Sequence, residues 1–147
     1  MQNFFHLTMD RREINQISAL GLAHCGDAVF ELLVRSFLCS TGKATTRDLH
    51  RRTVGYVNAP AQAARVERML PLLTEDELAV YRRGRNAHSH AAPRAATEAE
   101  YHAASGLEAL FGWLYLRGQN ERIEELFAMI LEKNNASGRH TADGAAP

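Results

Sequence analysis

A chain of 147 residues, 46% hydrophobic and 23% charged, can bury one sizeable core and leaves no room for a second domain. Its formal charge is zero, which argues against a globally basic polyanion binder, yet residues 1–94 carry 13 Lys and Arg against 9 Asp and Glu, while the remainder carries 4 against 8. No stretch approaches the roughly 20 apolar residues that span a bilayer, and residues 1–12 mix Phe4 and Phe5 with Asp10, Arg11 and Arg12 where a secretory signal would be apolar.

The first long helix is predicted from a cap at Asn15 or Ser18 to about Ser40, where Thr41-Gly42 supplies a stop. Leu22, Ala23, Cys25, Ala28, Val29, Leu32, Leu33, Val34 and Phe37 wrap most of its circumference, the pattern of a helix buried within a domain. Phe30, Leu33 and Phe37 make one stripe and Leu22, Val29 and Leu32 another, so one is expected to face the core and the other a symmetry-related copy. Cys25 and Cys39 lie too far apart along this helix for a disulfide, which implies a reducing, cytoplasmic setting.

Thr45 and Thr46 precede a short basic helix over residues 47–52. Asn58 can cap a helix to about Leu70, with Pro60 in its first turn and Pro71 at its end. Thr74-Glu75-Asp76-Glu77 has the form of a capping box, opening a helix that Gly84 ends after Arg83, and residues 85–96 read as a loop. A second box, Thr97-Glu98-Ala99-Glu100, starts a helix to Leu116, before Gly118. Asn120 caps a last helix over residues 121–133, and the small, polar residues 134–147 are expected to be disordered. Without strand-like alternation or an internal repeat, the predicted fold is all-α: a helical bundle of one domain.

Two acids in apolar helices carry the chemistry. Asp27 follows Gly26 and is expected to point toward protein beside Glu31, where an ionised carboxylate needs a cation or a donor. The plainer reading is a Glu31–Arg35 ladder with Asp27 at a kink made by Gly26. Glu108 is surrounded by Ala104, Ser105 and Gly112, which let another helix or a hydrated ion approach. Two helices each offering an inward carboxylate are how metal sites are built in bundles, and a hard ion such as Mg²⁺ suits them. A structural alternative for Glu108 is a partner for an arginine elsewhere.

From Arg82 to Arg94 there are four arginines and no acid. Arg82, Arg83, Arg85 and Asn86, with His50 and Arg51 of the other basic patch, are candidates to grip phosphate oxygens, although most charge runs are merely solvated faces. His88-Ser89-His90 lacks the Cys pair or helical His pair of a zinc site, and its loop placement fits a polar segment facing a polyanion as well. Cys25 reads as a small core residue, and Phe111, Trp113, Tyr115 and Phe127 as core aromatics.

Gly26-Asp27-Ala28-Val29 resembles the signature helix of the ribonuclease III family, and residues 107–112, Leu-Glu-Ala-Leu-Phe-Gly, resemble its second acidic helix. With Leu22-Ala23-His24-Cys25, Asp48-Leu49-His50, Ala61-Gln62-Ala63 and residues 82–87, Arg-Arg-Gly-Arg-Asn-Ala, the resemblance is to the short Mini-ribonuclease III branch, which has the catalytic domain without a double-stranded-RNA-binding domain. It covers about residues 20–126, within a catalytic domain placed at 1–133. The resemblance implies an all-helical homodimer that cleaves double-stranded RNA with Mg²⁺, with Asp27 and Glu108 as the metal-linked acids. Glu31 and Ser105 become candidates to support them. The association of the family with ribosomal RNA maturation points to a precursor of the large-subunit RNA. Two further acids of the larger family fall at Leu20 or Ala23 and at Ser105, so the site is sparser and weak metal binding is expected in the absence of RNA.

Two other readings stand beside it. An all-α Mg²⁺-dependent nucleotide pyrophosphohydrolase also uses inward helix carboxylates but needs a denser acid cluster, and the Glu121, Glu124, Glu125 group is predicted to be exposed. A non-catalytic RNA-binding dimer of the same fold would explain the missing acids but not the retention of both Asp27 and Glu108.

Overall fold

The computed structural model describes residues 1–42, 44–87, 92 and 95–136, with side chains as far as Leu131. Among these residues the chain forms seven α-helices and one 3₁₀ turn, with no strand. The first helix, α1 (Arg11–Ile14), was not expected from the sequence. It is opened by a capping box in which Asp10 Oδ1 accepts from Glu13 N and Glu13 Oε2 accepts from Asp10 N, both at 2.8 Å. Ser18 caps α2 (Ala19–Ser40), accepting from Gly21 N at 3.0 Å, while Asn15 ends α1.

Thr45 caps α3 (Thr46–Val57), which continues beyond the predicted 47–52 until Asn58 turns into extended backbone and caps α4 (Ala59–Met69). Pro71 falls in the 3₁₀ turn Leu70–Leu72, as its missing donor requires. Both predicted capping boxes form, opening α5 (Glu75–Asn86) and α6 (Glu98–Leu116), and α7 spans Asn120–Ala136, past the predicted stop at residue 133. Residues 137–147 of the expected tail lie outside the described residues.

The predicted end of α5 at Gly84 is corrected. Gly84 is buried within the helix because a Cβ there would lie 2.5 Å from the Ala109 Cβ, so this glycine permits close packing on α6. Arg85 and Asn86 are therefore helical, while residues 88–91, including the His88-Ser89-His90 segment, lie outside the described residues.

The apolar α6 is the central helix, packed by α2, α4, α5 and α7. Phe30 stands edge-on to Phe111 at 5.6 Å and to Phe127 at 6.1 Å, fixing α2, α6 and α7 about one aromatic cluster. Each such fully buried Leu or Phe contributes about 1.5–3 kcal/mol, and Phe30→Ala, which leaves a cavity, would cost about 3–5 kcal/mol. The two stripes drawn on α2 are mixed in the fold: Leu22 and Phe30 are both buried, with Val34 and Leu38, whereas Leu32 is 55% exposed. Phe111 and Phe127 are core residues as expected; Trp113 and Tyr115 are only half-buried. The Arg117 guanidinium covers the Trp113 ring at 4.3 Å, and the Tyr115 hydroxyl donates to the Phe4 carbonyl.

One buried acid is fully engaged. Glu77 is 4% exposed, closes the α5 capping box, and accepts from Arg122 of α7 at 2.8 and 3.0 Å. Arg122 also donates to the Leu72 carbonyl and to Glu125, tying α5, α7 and the 3₁₀ turn together.

Candidate functional site

Asp27 and Glu108 are brought together by glycine. A Cβ on Gly26 would collide with the Glu108 carbonyl oxygen, and one on Gly112 with the Leu22 carbonyl. α2 and α6 consequently meet backbone to backbone, and the acid that follows Gly26 lies beside the acid one turn before Gly112. The structural alternative for Glu108, an arginine partner, is not realised: none of the ion pairs among the described residues includes it.

The electrostatics are those of an uncompensated pair. Burial, then the Asp27 charge, push the Glu108 carboxyl up to about 7, against an opposing effect of the Gln62 side chain. Asp27 is also raised, by burial and by Glu31, with His24 acting the other way. The expectation that Asp27 points away from water is corrected: the residue is exposed at the rim, and Glu108 is the more enclosed member. Glu31 does form the plain ladder, at 3.0 Å from Arg35, while adding its charge to that at Asp27. Ser105 is half-buried, and its carbonyl lies 3.0 Å from where a Gly84 Cβ would stand, so it borders α5.

No group of three or more His, Cys, Asp or Glu able to hold a metal occurs among the described residues. The pair is thus no closed cage. Two oxygen donors, one desolvated and one open to solvent, suit a hard cation that keeps several waters. His24, one turn before Asp27 on α2, is exposed.

The basic residues do not form one face. On α5, Arg83 lines a cavity of about 190 Å³ with Arg11, Arg117, Trp113, Asn15 and Asp76, whereas Arg85 leans over Tyr81 at 5.8 Å on the other flank. Arg82 and Asn86 are exposed between them. His50 is exposed on α3 and Arg51 pairs with Asp48 at 3.2 Å. His50 lies in the groove by Arg35 and Leu38, which stand about 12 and 16 Å along α2 from Asp27 at a 1.5 Å rise per residue.

Sequence reasoning passed over Gln62, quoted only within Ala61-Gln62-Ala63. The residue is 1% exposed, and its position with Val66 and Met69 on the buried face of α4 was the available signal. Cys25 and Cys39 are both free. Cys25, half-buried and raised by burial, lines an apolar groove of about 620 Å³ with Phe5, Val29, Leu32, Leu33 and Ile123. No described helix is long and apolar enough to cross a membrane.

Comparison with known proteins shows what the whole chain is similar to. Residues 20–119 match the model of the Ribonuclease III domain. The chain is 51% identical over 107 residues to the Mini-ribonuclease 3 of Symbiobacterium thermophilum, covering 73% of this chain and 82% of that one. To the Mini-ribonuclease 3 of Enterococcus faecalis it is 42% identical over 124 residues, 83% of this chain and 94% of that one. A crystal structure of a protein from Fusobacterium nucleatum superposes with a TM-score of 0.78 at 28% identity, covering 87% of this chain and 98% of that one.

Proposed function

Because the chain belongs to the ribonuclease III family and is an endoribonuclease, we propose that it cleaves double-stranded RNA as a Mg²⁺-dependent homodimer with Asp27 and Glu108 at each catalytic centre. The observation that carries this reading is the pairing of two carboxylates on helices in backbone contact, neither of them in an ion pair among the described residues. Enzymes of this family generally depend on a divalent metal, and these two side chains are the ones that would hold it. When bound, Mg²⁺ supplies an activated water and neutralises charge at the leaving oxygen.

The residues of the chain divide the remaining work. Glu108, half-buried, offers its carboxylate from a fixed place on α6, and Asp27 offers its own from the solvent side, where a phosphodiester can reach it. Arg82, Arg83, Arg85 and Asn86 on α5, with His50 and Arg51 on α3, supply phosphate contacts on separated elements, which fits recognition of a duplex by backbone and shape. Glu31 keeps the Asp27 surroundings acidic. The apolar groove beside Asp27, with Leu32 at its edge, is where a second copy would seat, so that each subunit cuts one strand. On the family resemblance, the substrate is a precursor of the large-subunit ribosomal RNA and the setting is cytoplasmic.

Incubation with duplex RNA, single-stranded RNA and nucleoside triphosphates, with and without Mg²⁺, tests the activity. Paired cuts in the duplex alone, only with Mg²⁺, are expected, and triphosphate hydrolysis without duplex cleavage would overturn the reading. In solution the mass at micromolar concentration should be that of a dimer, and Leu32→Glu should reduce it to a monomer.

A further inference from the structure

We propose that Gln62 is a positioning residue of the carboxylate pair: across the α4–α6 interface, its side-chain amide holds the Glu108 carboxylate in the orientation in which Glu108 and Asp27 act together. This rests on the reading of those two acids as the catalytic centre. The starting observation is a polar group where the fold asks for none. α4 buries Gln62, Val66 and Met69 on one face, and the other two are apolar. Gln62 is 1% exposed, and its Nε2 makes no hydrogen bond. A buried donor left unpaired costs about 1–3 kcal/mol, a cost that Leu or Met of similar volume would avoid. Stability of the α4–α6 contact is therefore no reason for glutamine at this position.

The side chain does have a neighbour that accounts for it. Gln62 lies where α4 packs on α6, a side-chain hydrogen-bonding partner within reach of the Glu108 carboxyl, although its Nε2 closes no bond in this structure. Nε2 carries two protons and no charge, so it can orient a carboxylate oxygen while leaving the negative charge of the pair undiminished. An arginine at this place would orient Glu108 as Arg122 orients Glu77, but it would also neutralise the acid and compete with a divalent cation. The amide is the donor that steers without neutralising. Residues that orient metal ligands through hydrogen bonds typically change metal affinity about 10- to 100-fold when replaced.

The test uses the full chain and two variants, Gln62→Leu and Gln62→Met, with Asp27→Asn as reference. Uptake of Mn²⁺ without RNA, followed by electron paramagnetic resonance, should weaken about 10-fold or more in both Gln62 variants, and the Mg²⁺ concentration for half-maximal cleavage should rise in parallel. Melting in metal-free buffer should be unchanged or raised, because a buried unpaired amide has been removed. Wild-type Mn²⁺ uptake by Gln62→Leu or Gln62→Met, beside a weakened Asp27→Asn, would overturn the proposal alone. Wild-type protein that takes up no more Mn²⁺ than Asp27→Asn would instead overturn the metal reading on which it rests. If neither Gln62 variant folds, the residue belongs to the core and the proposal fails.

Discussion

Glu77 and Glu108 are the same side chain placed between helices of the same small bundle, and their surroundings are opposite. At Glu77, burial pushes the carboxyl up, but Arg122, together with the backbone and hydroxyl of Thr74, outweighs it, and the group ends below the ordinary glutamate range. At Glu108, burial and Asp27 act in the same direction, and Gln62 alone opposes them. A satisfied buried acid is a strut. An acid set beside another acid, with no ion-pair partner among the described residues, is a candidate place for something else to bind. On the proposed reading, the contrast separates a structural glutamate from a functional one without reference to any relative.

The largest expected effect is on the functional side of that contrast. Glu108→Gln and Asp27→Asn should each lower cleavage of duplex RNA about 10³-fold or more, some 4 kcal/mol in the barrier, while the fold is retained. Single-turnover cleavage and melting curves check both halves, and near-wild-type cleavage by either variant would remove it from the centre. Arg122→Ala should do the reverse, destabilising the protein by about 3 kcal/mol because Glu77 is left buried and unpaired, with cleavage intact below the melting transition. Denaturant unfolding alongside the activity measurement decides it.

A pH series sharpens the comparison. The Glu108 carboxyl is raised from 4.5 to about 7, so in metal-free buffer its destabilisation is absent below pH 4.5, grows as pH rises, and is complete above 7. Glu77, being depressed, contributes stability above 4.5 and loses it as pH falls through its folded value. Wild-type protein should therefore lose on the order of 2 kcal/mol between pH 5 and 8, relative to Glu108→Gln, after allowing for solvent screening. A parallel pair of stability curves over that range would contradict it. The smallest effects belong to the exposed arginines: Arg83→Ala and Arg85→Ala should each reduce the salt slope of duplex RNA affinity by about one, without moving the cut. Since the two lie on opposite flanks of α5, a change confined to one variant would show which flank faces the duplex.

Local grammar carried the sequence reading a long way. Capping boxes at Thr74 and Thr97, the caps at Ser18 and Asn58, and Gly118 as a stop at a φ of 74° all lie where side chains near in sequence dictate them. Most of what failed depended on partners distant in sequence. Gly84 has the composition of a helix stop, and only the nearness of Ala109 shows it to be a contact glycine. The division of α2 into stripes missed because Leu22 and Phe30 face different neighbours that are both interior. Asp27 and Glu108 were legible as isolated acids in apolar helices; Gln62 was not, because a glutamine in an alanine-rich helix resembles a solvated one until α6 is laid over it. The Asp10–Glu13 box was readable and was passed over because the helix it opens is only one turn long.

The contact of Gly26 with the Glu108 carbonyl makes α2 and α6 the jaws of a caliper. Its opening is set by main chain against main chain, which close packing leaves little room to widen or narrow. If Asp27 and Glu108 hold a cation as proposed, a gap fixed in this way would favour ions of one size over larger ones. Re-tuning the proposed centre to a different metal would accordingly begin with the glycines, and the carboxylates would come second.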